Sequence, residues 1–376
     1  MREMLLLSIG FSPNVGGIET HFDDLTAALD KRGWKAWVLT YKPIATPVTA
    51  KFFERRGRNV VVYRVPWVRG IFYKLVSRPV LEFLFLVPGL FLALPVFLAW
   101  KGRRIEVVQS HGLVAGFVAA VWGKLWGKRV IMTTHSMYNF PARGLYRRLA
   151  RWIFASSDKV LTLSAQSARE VVNLGVEKDK VKRFTYWVDL KKFRPVAGAK
   201  KKVGWEGKFV VLFVGRLIGE KGINELLAAA KIWSRQITLA VAGGGPMERK
   251  IQMTKSKIQN LEYLGRVEQE KLPVYYSAAD VVIVPSVHEE GFGRVILEAL
   301  ACGTPVIGAR RGAIPEAMDE TVGRLIEVTP EKIKQVVEDL WRNPGKLKRL
   351  AQNARKFAQR RYGEKNIGRI IRVYSD

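Results

Sequence analysis

Strand-like and helix-like segments alternate along almost the whole chain of 376 residues, and this alternation constrains the fold more than any other feature. Short runs rich in β-branched and apolar residues lie at 4–9, 36–41, 60–65, 106–110, 129–134 and 160–164, with helical patterns between them. Repeated βα units predict a parallel sheet covered by helices. The first half of the chain is therefore predicted to form one doubly wound domain.

The alternation lapses at a basic stretch with proline and glycine, 194–202, and then begins again. A second set of strands is predicted at 209–215, 238–242, 261–265, 281–285, 305–308 and 323–327. The chain length also fits two domains of ordinary size. We expect two doubly wound α/β domains, at 1–195 and 203–355, with ligands at the carboxyl ends of their strands, where the glycine-rich loops lie.

Two glutamates in the second half lie eight residues apart, and a Gly-Phe-Gly turn follows the first of them. Glu290 precedes Gly291, Phe292 and Gly293, and Glu298 follows in a helical pattern. The glycines let the backbone approach a ligand, and the helix start presents free N–H groups. Eight residues at helical rise separate the carboxylates by roughly 12 Å, about the reach from a sugar across a diphosphate to a ribose. The alternative is a capped helix with one buried glutamate.

Two cations follow the first predicted strand of the second domain. Arg216 lies at the strand end and Lys221 at the next helix start, with glycines beside both. Two fixed cations could stabilise a departing nucleoside diphosphate much as a metal would; two solvated surface cations are the alternative. Gly16 and Gly17 form a comparable loop after the first strand of the chain, where backbone N–H groups can bind phosphate.

Charge and hydropathy single out the region 51–150. It holds 17 Lys and Arg against 3 Asp and Glu, within a chain of net charge +30, which favours an anionic partner. Residues 79–100 carry a single charge, Glu82, and three prolines. We predict an interfacial helical hairpin on a membrane within a membrane-associating segment at 70–101. Buried helices that cover the sheet and a true span remain alternatives, and the domain continuing on both sides argues against the span.

These motifs, in this order and spacing, resemble glycosyltransferase family 4, the retaining sugar-nucleotide enzymes with a GT-B fold. The resemblance covers nearly the whole chain. It implies two Rossmann-like domains that face a cleft, with a C-terminal helix at 356–376 crossing back to the first domain. It also implies a nucleotide-diphosphate sugar as co-substrate, with no cofactor and no metal.

The resemblance assigns roles to individual residues. The catalytic set would be Glu290 on the sugar hydroxyls, His135 near the anomeric carbon and the acceptor, and Arg216 and Lys221 on the diphosphate. The donor would also contact Gly16, Gly17, Gly291, Phe292 and Gly293, with Glu298 on the ribose. On the acceptor side the resemblance indicates Glu19, His111 and Ser136, and His111 is also the lesser candidate for the catalytic histidine.

The segment Thr134-His135-Ser136 with Phe140 resembles lipid-acceptor members that add GlcNAc to phosphatidylinositol, and phosphatidylinositol mannosyltransferases are similar in plan; the basic apolar segment points the same way. We therefore expect hexose transfer to a membrane lipid or lipid-linked acceptor. The alternatives are a soluble family 4 transferase with a sugar or sugar-phosphate acceptor and, more remotely, a non-catalytic basic binder of membranes or nucleic acid. A lone cysteine and an N-terminal apolar run too short for a signal peptide favour a cytoplasmic protein, attached peripherally or monotopically to the inner face of the cell membrane.

Overall fold

The computed structural model describes residues 1–14, 16–44, 48–71, 75, 78–135 and 137–375. The chain forms two compact units, one of Met1–Phe184 with Ile367–Asp376 and one of Thr185–Asn366. Each unit contains one mainly parallel sheet, which confirms the predicted fold class. Unit 1 ends at Phe184, eleven residues before the predicted boundary at 195, and the chain returns to it at Ile367, twelve residues after the predicted boundary at 355.

Unit 1 is an eight-stranded sheet with helices between its strands. The strands are β1 (Glu3–Ser8), β2 (Lys35–Tyr41), β3 (Phe53–Arg56), β4 (Val60–Val65), β5 (Ile105–His111), β6 (Arg129–Thr134), β7 (Lys159–Thr162) and β8 (Val181–Arg183). The helices are α1 (Gly17–Lys31), α2 (Pro79–Lys101), α3 (Gly112–Val118), α4 (Leu145–Ala155) and α5 (Ala165–Asn173). The strand order is β3-β4-β2-β1-β5-β6-β7-β8, so the connections reverse direction between β1 and β5.

Neither edge strand of this sheet, β3 or β8, was predicted from the sequence. β3 pairs antiparallel with β4, whereas the other strand pairs of the sheet are parallel. Its residues are Phe-Glu-Arg-Arg, alternately exposed and half-buried. An edge strand with so little buried surface carries no apolar run for a sequence pattern to detect.

The apolar segment forms one continuous helix, α2, so the predicted hairpin is wrong. Pro79 is at the first helical turn, where proline is tolerated, but Pro88 and Pro95 lie inside the helix. An interior proline costs about 3 kcal/mol or more. The inner face of α2 offsets this cost because its leucines, spaced four residues apart, are fully buried in the core of unit 1: Leu86, Leu90, Leu94 and Leu98.

A tyrosine hydroxyl is inserted into the backbone of α2. The Tyr41 hydroxyl donates to the carbonyl oxygen of Leu86 and accepts from the N–H of Leu90 at 2.9 Å. These two backbone groups would otherwise be partners four residues apart, so Tyr41 replaces one helical hydrogen bond. Gly89 makes this approach possible, since a Cβ there would lie 2.6 Å from the Tyr41 ring. The helix is thereby fixed to β2.

The C-terminal helix α14 (Lys365–Val373) belongs to unit 1 from Ile367 onward. The Tyr374 hydroxyl donates to Gln109 Oε1 at 2.6 Å, and Arg129 Nη1 donates to the carbonyl oxygen of Tyr374 at 3.3 Å. The chain from Ile367 onward is therefore part of unit 1.

Unit 2 is a six-stranded parallel sheet with the order β11-β10-β9-β12-β13-β14. Its strands are β9 (Phe209–Val214), β10 (Ile237–Ala242), β11 (Leu261–Gly265), β12 (Val281–Val284), β13 (Val306–Ala309) and β14 (Gly323–Ile326). Its helices are α6 (Ala199–Lys202), α7 (Ile223–Ile232), α8 (Glu248–Lys255), α9 (Leu272–Ala278), α10 (Arg294–Ala301), α11 (Ile314–Ala317), α12 (Pro330–Arg342) and α13 (Pro344–Tyr362).

Candidate active site

The strand order of unit 2 places its switch point between β9 and β12. Chain connections run from β9 towards β11 on one side and from β12 towards β14 on the other. The loops that leave the carboxyl ends of β9 and β12 therefore lie at the usual ligand position of a doubly wound sheet. Lys221 lies on the first of these loops and Glu290 on the second.

The two loops touch through their backbones. Gly222 has a φ of 73°, and a Cβ at this position would overlap the carbonyl oxygen of Pro285. The N–H of Val287 donates to the carbonyl oxygen of Glu220 at 3.0 Å. Glycine is required at position 222 both for the left-handed backbone and for the contact. This contact brings Lys221 next to the loop that carries Glu290.

Lys221 and Glu290 form an ion pair across the switch point. Lys221 Nζ lies 2.7 Å from Glu290 Oε1 and 2.6 Å from Oε2. The side chains are 19% and 14% exposed, respectively, so the pair is shielded but open to a ligand. Both residues were predicted to bind the donor, at the diphosphate and at the sugar. The structure brings the two together.

Two further side chains contact the Glu290 carboxylate. Ser286 Oγ donates to Oε2 at 2.9 Å, and His288 Nε2 lies 3.8 Å from the same oxygen. Burial by itself would raise the pKa of Glu290, but the Lys221 ammonium, with His288 and the Ser286 hydroxyl, outweighs burial and lowers this pKa below its usual value. Glu290 is therefore ionised at neutral pH.

Arg216 differs from Lys221 in its surroundings. It follows Gly215 after β9 and is exposed, and its side chain makes no hydrogen bond or ion pair with any residue that the structure describes. The Gly243-Gly244-Gly245 loop after β10 packs on the same loop, since a Cβ at Gly243 would overlap the carbonyl oxygen of Gly215. The loop that carries Arg216 is thus held by backbone packing, and the exposed Arg216 side chain is available to bind an anion.

The turn after Glu290 has one buried member. Phe292 is 4% exposed and its ring lies 6.0 Å from those of Tyr186 and Tyr362, so its side chain belongs to the core of unit 2. Gly293, with a φ of 72°, precedes the first residue of α10. Any ligand contact at Phe292 would use the backbone, which is the contact predicted for Gly291, Phe292 and Gly293.

Glu298 lies on α10 with its carboxylate engaged inside unit 2. It is 6% exposed, it accepts from the Tyr276 hydroxyl at 2.9 Å, and Arg294 Nε lies 3.7 Å from its other oxygen. Burial, together with the Glu298 charge, raises the pKa of Tyr276 well above its usual value. The predicted contact of Glu298 with a ribose stays a prediction.

Three of the four histidines of the chain converge in unit 1. His111 ends β5, His135 follows β6, and His21 lies on α1. His111 Nδ1 and His135 Nε2 are 2.8 Å apart, with the rings stacked at 5.1 Å, and the His21 ring lies 5.2 Å from that of His135. The predicted candidates His111 and His135 are therefore direct hydrogen-bond partners.

Both hydrogen-bonded histidines are neutral at physiological pH. Burial lowers the pKa of His135 to about 3, and burial together with His135 lowers the pKa of His111 well below its usual value. Between two neutral rings, one nitrogen donates the shared proton and the other accepts it. His135 can therefore orient a hydroxyl by hydrogen bonding, but it does not carry charge.

The remaining predicted site residues of unit 1, Gly16 and Gly17 on the donor side and Glu19 and Ser136 on the acceptor side, lie near the start of α1 or outside the described residues. The Glu19 side chain lies over the loop that precedes α1, so a Cβ on Gly16 would overlap the Glu19 carboxylate. Gly17 is exposed at the first position of the helix. Ser136 lies outside the described residues.

Sequence reasoning assigned no role to Ser286, although the motif Val284-Pro285-Ser286 contributes to the family resemblance, and it missed His288, His21 and Tyr276. Ser286 and His288 lie within four residues of Glu290, and their proximity was the available signal. His21 lies on the buried face of α1, beside Phe22 and Leu25. No sequence pattern singles out Tyr276, because only tertiary packing brings α9, the helix that carries it, beside Glu298.

Among the described residues, neither a metal-binding cluster nor an open groove contributes to the candidate active site. Among the described residues, no group of three or more His, Cys, Asp or Glu could hold a metal ion, and the expectation of a metal-free reaction stays a prediction. An open groove of about 780 Å³ lies at the amino ends of β9, β10 and β11, lined in part by Lys208, Gln236 and Asn260. Ligands of doubly wound sheets bind at the opposite ends of the strands, so this groove lies away from the candidate active site.

Two family models match the chain, one in each half. The model described as "Glycosyltransferase Family 4" matches residues 15–192, and "Glycosyl transferases group 1" matches residues 198–357. A D-inositol 3-phosphate glycosyltransferase of Acidothermus cellulolyticus is 30% identical over 302 residues, which cover 72% of this chain and 67% of the relative.

Solved structures share the fold over nearly the full length. Sucrose-phosphate synthase from Thermosynechococcus elongatus superposes with a TM-score of 0.85 at 23% identity, covering 100% of this chain and 98% of the other. Anabaena HepE in complex with UDP-glucose superposes with a TM-score of 0.75 at 18% identity, covering 98% of both chains. The GT-B fold predicted from the sequence is thereby confirmed.

Proposed function

Because this chain belongs to glycosyltransferase family 4, we propose that it moves a hexose from a nucleotide-diphosphate sugar to a membrane lipid or lipid-linked acceptor, with retention of the anomeric configuration. Membership of this family makes the protein a glycosyltransferase and removes the non-catalytic binder from consideration. The observation that carries the donor half of the proposal is the ion pair between Lys221 and Glu290 at the switch point of unit 2.

The hydrogen-bonding groups of the Lys221–Glu290 ion pair can hold a sugar next to a diphosphate. A lysine ammonium has three N–H donors, and Glu290 takes two of them. The third donor is available for a phosphate oxygen while the pair stays intact. Glu290 would then accept from a hexose hydroxyl, and the exposed Arg216 would contact the other phosphate. HepE, which shares the fold, is solved with UDP-glucose.

The transfer step uses no enzyme nucleophile. The acceptor oxygen bonds to the anomeric carbon on the face from which the phosphate departs, and the carbon–oxygen bond to the phosphate breaks. The acceptor proton passes to the departing phosphate oxygen. Arg216 and Lys221 stabilise the charge that develops on the diphosphate. In this scheme neutral His135 orients a hydroxyl and neither supplies nor removes a proton.

The lipid acceptor is proposed from the surface of α2. This helix is apolar around its whole circumference, yet only a third of its most apolar stretch is buried. A helix of that composition requires apolar surroundings on every face. Val80, Leu84, Leu92, Val96 and Trp100 are 53–70% exposed, and a bilayer is the apolar partner that a charge of +14 over residues 51–150 favours.

Neighbouring side chains extend this apolar face. The Phe117 ring of α3 lies 6.1 Å from Phe91 of α2 and 5.8 Å from Trp152 of α4, and Trp152 is 45% exposed. Burial raises the pKa of Glu82, the single charge within 79–100, to about 7, so this carboxyl is readily neutralised. Such a face lying on the inner leaflet would place the enzyme at the cytoplasmic side of the membrane.

A sugar-phosphate acceptor is the second candidate, since the relative from Acidothermus cellulolyticus is named for D-inositol 3-phosphate. The test is turnover of UDP-glucose, UDP-GlcNAc and GDP-mannose with anionic vesicles, with neutral vesicles and with soluble inositol phosphate. The proposal expects one preferred donor, transfer into lipid and a product of retained configuration. Full activity on the soluble acceptor alone would establish the second candidate. A product of inverted configuration would refute the proposed transfer step. Absence of turnover with every donor would refute the assignment of a nucleotide sugar as donor.

A further inference from the structure

The two oxygens of the Glu290 carboxylate are not equivalent. Oε2 accepts from Lys221 Nζ at 2.6 Å and from Ser286 Oγ at 2.9 Å, and His288 Nε2 lies 3.8 Å away. Among the described residues, Oε1 accepts only from Lys221 Nζ, at 2.7 Å. A carboxylate oxygen accepts about two hydrogen bonds. Oε2 is therefore filled, and Oε1 retains one acceptor position.

Lys221 cannot create this difference. Its ammonium is a compact charge on a flexible stem, and it lies almost equally far from both oxygens, at 2.6 and 2.7 Å. Nothing in that contact fixes the rotation of the carboxylate plane. The hydrogen bond from Ser286 does, because it reaches one oxygen only.

Ser286 is itself firmly held. It lies two residues after β12 ends at Val284 and is 1% exposed. On one side of it, Pro285 packs against Gly222; on the other, the N–H of Val287 donates to the carbonyl oxygen of Glu220. The hydroxyl is therefore supported by backbone contacts between the β9 and β12 loops. A donor on such a support orients its acceptor more strictly than a mobile lysine does.

His288 does not share this role. Its Nδ1 lies 3.0 Å from the carbonyl oxygen of Glu220, an atom that can only accept, so Nδ1 carries a proton. In the neutral ring Nε2 then has no proton to donate to Glu290. His288 therefore adds an attraction only when protonated.

We propose that Ser286 is a positioning residue for the transfer. It holds Oε2 of Glu290, so that Oε1 accepts from one hydroxyl of the donor hexose next to the diphosphate. This inference rests on the proposed function, and it specifies which atom of the site contacts the sugar.

The test compares Ser286→Ala and Ser286→Thr with the wild-type enzyme. A matched control is Ser277→Ala, which removes a hydroxyl that also makes hydrogen bonds in unit 2 but does not contact Glu290. Each variant is assayed for kcat and KM with the preferred sugar nucleotide from pH 4 to 8, for binding of the matching nucleoside diphosphate, and for thermal unfolding. If Ser286→Ala does not fold, Ser286→Cys, a weak donor of similar volume, replaces it.

We expect Ser286→Ala to lower kcat/KM about tenfold, the usual effect of one hydrogen bond to a charged group. The acid limb of its rate profile should move to higher pH, because the Ser286 hydrogen bond helps to lower the pKa of Glu290. Binding of the nucleoside diphosphate should not change, Ser286→Thr should restore both rate and profile, and Ser277→Ala should match wild type.

Two results would overturn the inference. One is an Ser286→Ala enzyme with wild-type rate and pH profile; the other is a loss of nucleoside diphosphate binding in proportion to rate, which would mean a purely structural role. Both require a wild-type enzyme that turns over a sugar nucleotide. Failure of the wild type on the whole donor panel refutes the proposed function instead, so the two failures are distinguishable.

Discussion

Arg216 and Lys221 lie five residues apart after the same strand but meet different surroundings. Arg216 is exposed, whereas Lys221 is 19% exposed and paired with Glu290. The sequence treats them as two equal cations next to glycines. In the structure their surroundings differ, because Gly222 packs against Pro285 and so brings the neighbouring Lys221 next to the β12 loop. At the residue scale the candidate site is thus a contact between two loops that are distant in sequence.

Glu290→Gln should reduce turnover about a hundredfold, since a neutral amide holds the sugar hydroxyl and the Lys221 ammonium less well in the transition state. The free energy of unfolding should fall by only about 1 to 2 kcal/mol. Initial rates and urea unfolding check both values. Glu220→Gln, an exposed neighbour on the β9 loop, is the control and should behave as wild type. Equal losses of activity and stability would mean that Glu290 is structural.

The buried histidines predict a pH dependence of stability. The pKa of His135 is about 3 in the folded protein against 6.5 as the ordinary value, so below pH 6.5 the unfolded chain binds the proton that the folded protein does not. Acidification therefore favours unfolding, by up to about 1.4 kcal/mol per pH unit for one such group. His135→Asn should reduce the slope of unfolding free energy between pH 6 and 4. Identical slopes would contradict the burial of His135 in a neutral form.

Among the secondary-structure elements, α2 is a helix whose packing could not be predicted from the sequence pattern. An amphipathic helix reveals its buried face through periodicity, but α2 is apolar all round, so the sequence contains no signal for which side packs on the sheet. Interior prolines favoured a break, and the hairpin predicted from them was wrong. The helix continues because one complete face is buried, while the Tyr41 hydroxyl takes the place of one backbone partner.

Gly89→Ala should destabilise the protein by about 1 to 3 kcal/mol, since the added methyl meets the Tyr41 and Trp67 rings at 2.6 to 2.8 Å. Gly368→Ala, in α14 with open space around its Cα, is the matched control. It should be neutral or stabilising by up to about 1 kcal/mol, because alanine favours helix. Chemical unfolding of both variants measures the difference, and equal effects would contradict the close approach at Gly89.

Replacing Leu84, Leu92 and Val96 by serine should weaken binding to anionic vesicles about a hundredfold, since each exposed side chain contributes about 1 kcal/mol when it leaves water. Thermal unfolding should barely change, because these side chains are 62–70% exposed. Vesicle co-sedimentation measures binding. The control replaces Ile232 and Met253, exposed apolar residues of unit 2, and should bind as wild type. Unchanged vesicle binding in the α2 variant would refute the proposed membrane face.

At the scale of the whole molecule, the chain returns to its first domain at its end. Residues from Ile367 onward belong to unit 1, and Tyr374 bonds Gln109 within that unit. The resemblance implied this return, although no local pattern in 365–376 indicates which unit the helix joins. The contact is made with a strand more than 250 residues earlier in the chain, which periodicity cannot report.

Tyr374→Phe should lower the free energy of unfolding by about 1 to 3 kcal/mol, because Gln109 Oε1 would lose its buried donor. Tyr275→Phe is the control, since that hydroxyl bonds none of the described residues, and it should be neutral. Urea unfolding followed by fluorescence measures both. A neutral Tyr374→Phe variant would mean that the C-terminal helix contributes little to unit 1.

The amino-acid sequence was sufficient to predict the alternation of strands and helices, the two sheets and the loops that carry Arg216, Lys221 and Glu290. These are local properties, since periodicity and glycine placement act over a few residues. Tertiary packing settled the pairing of Lys221 with Glu290, the support from Ser286, the contact between His111 and His135, and the single continuous helix α2, which is only partly buried. Each of these depends on which strands become neighbours and on what covers each face, and both are settled only when the whole chain packs.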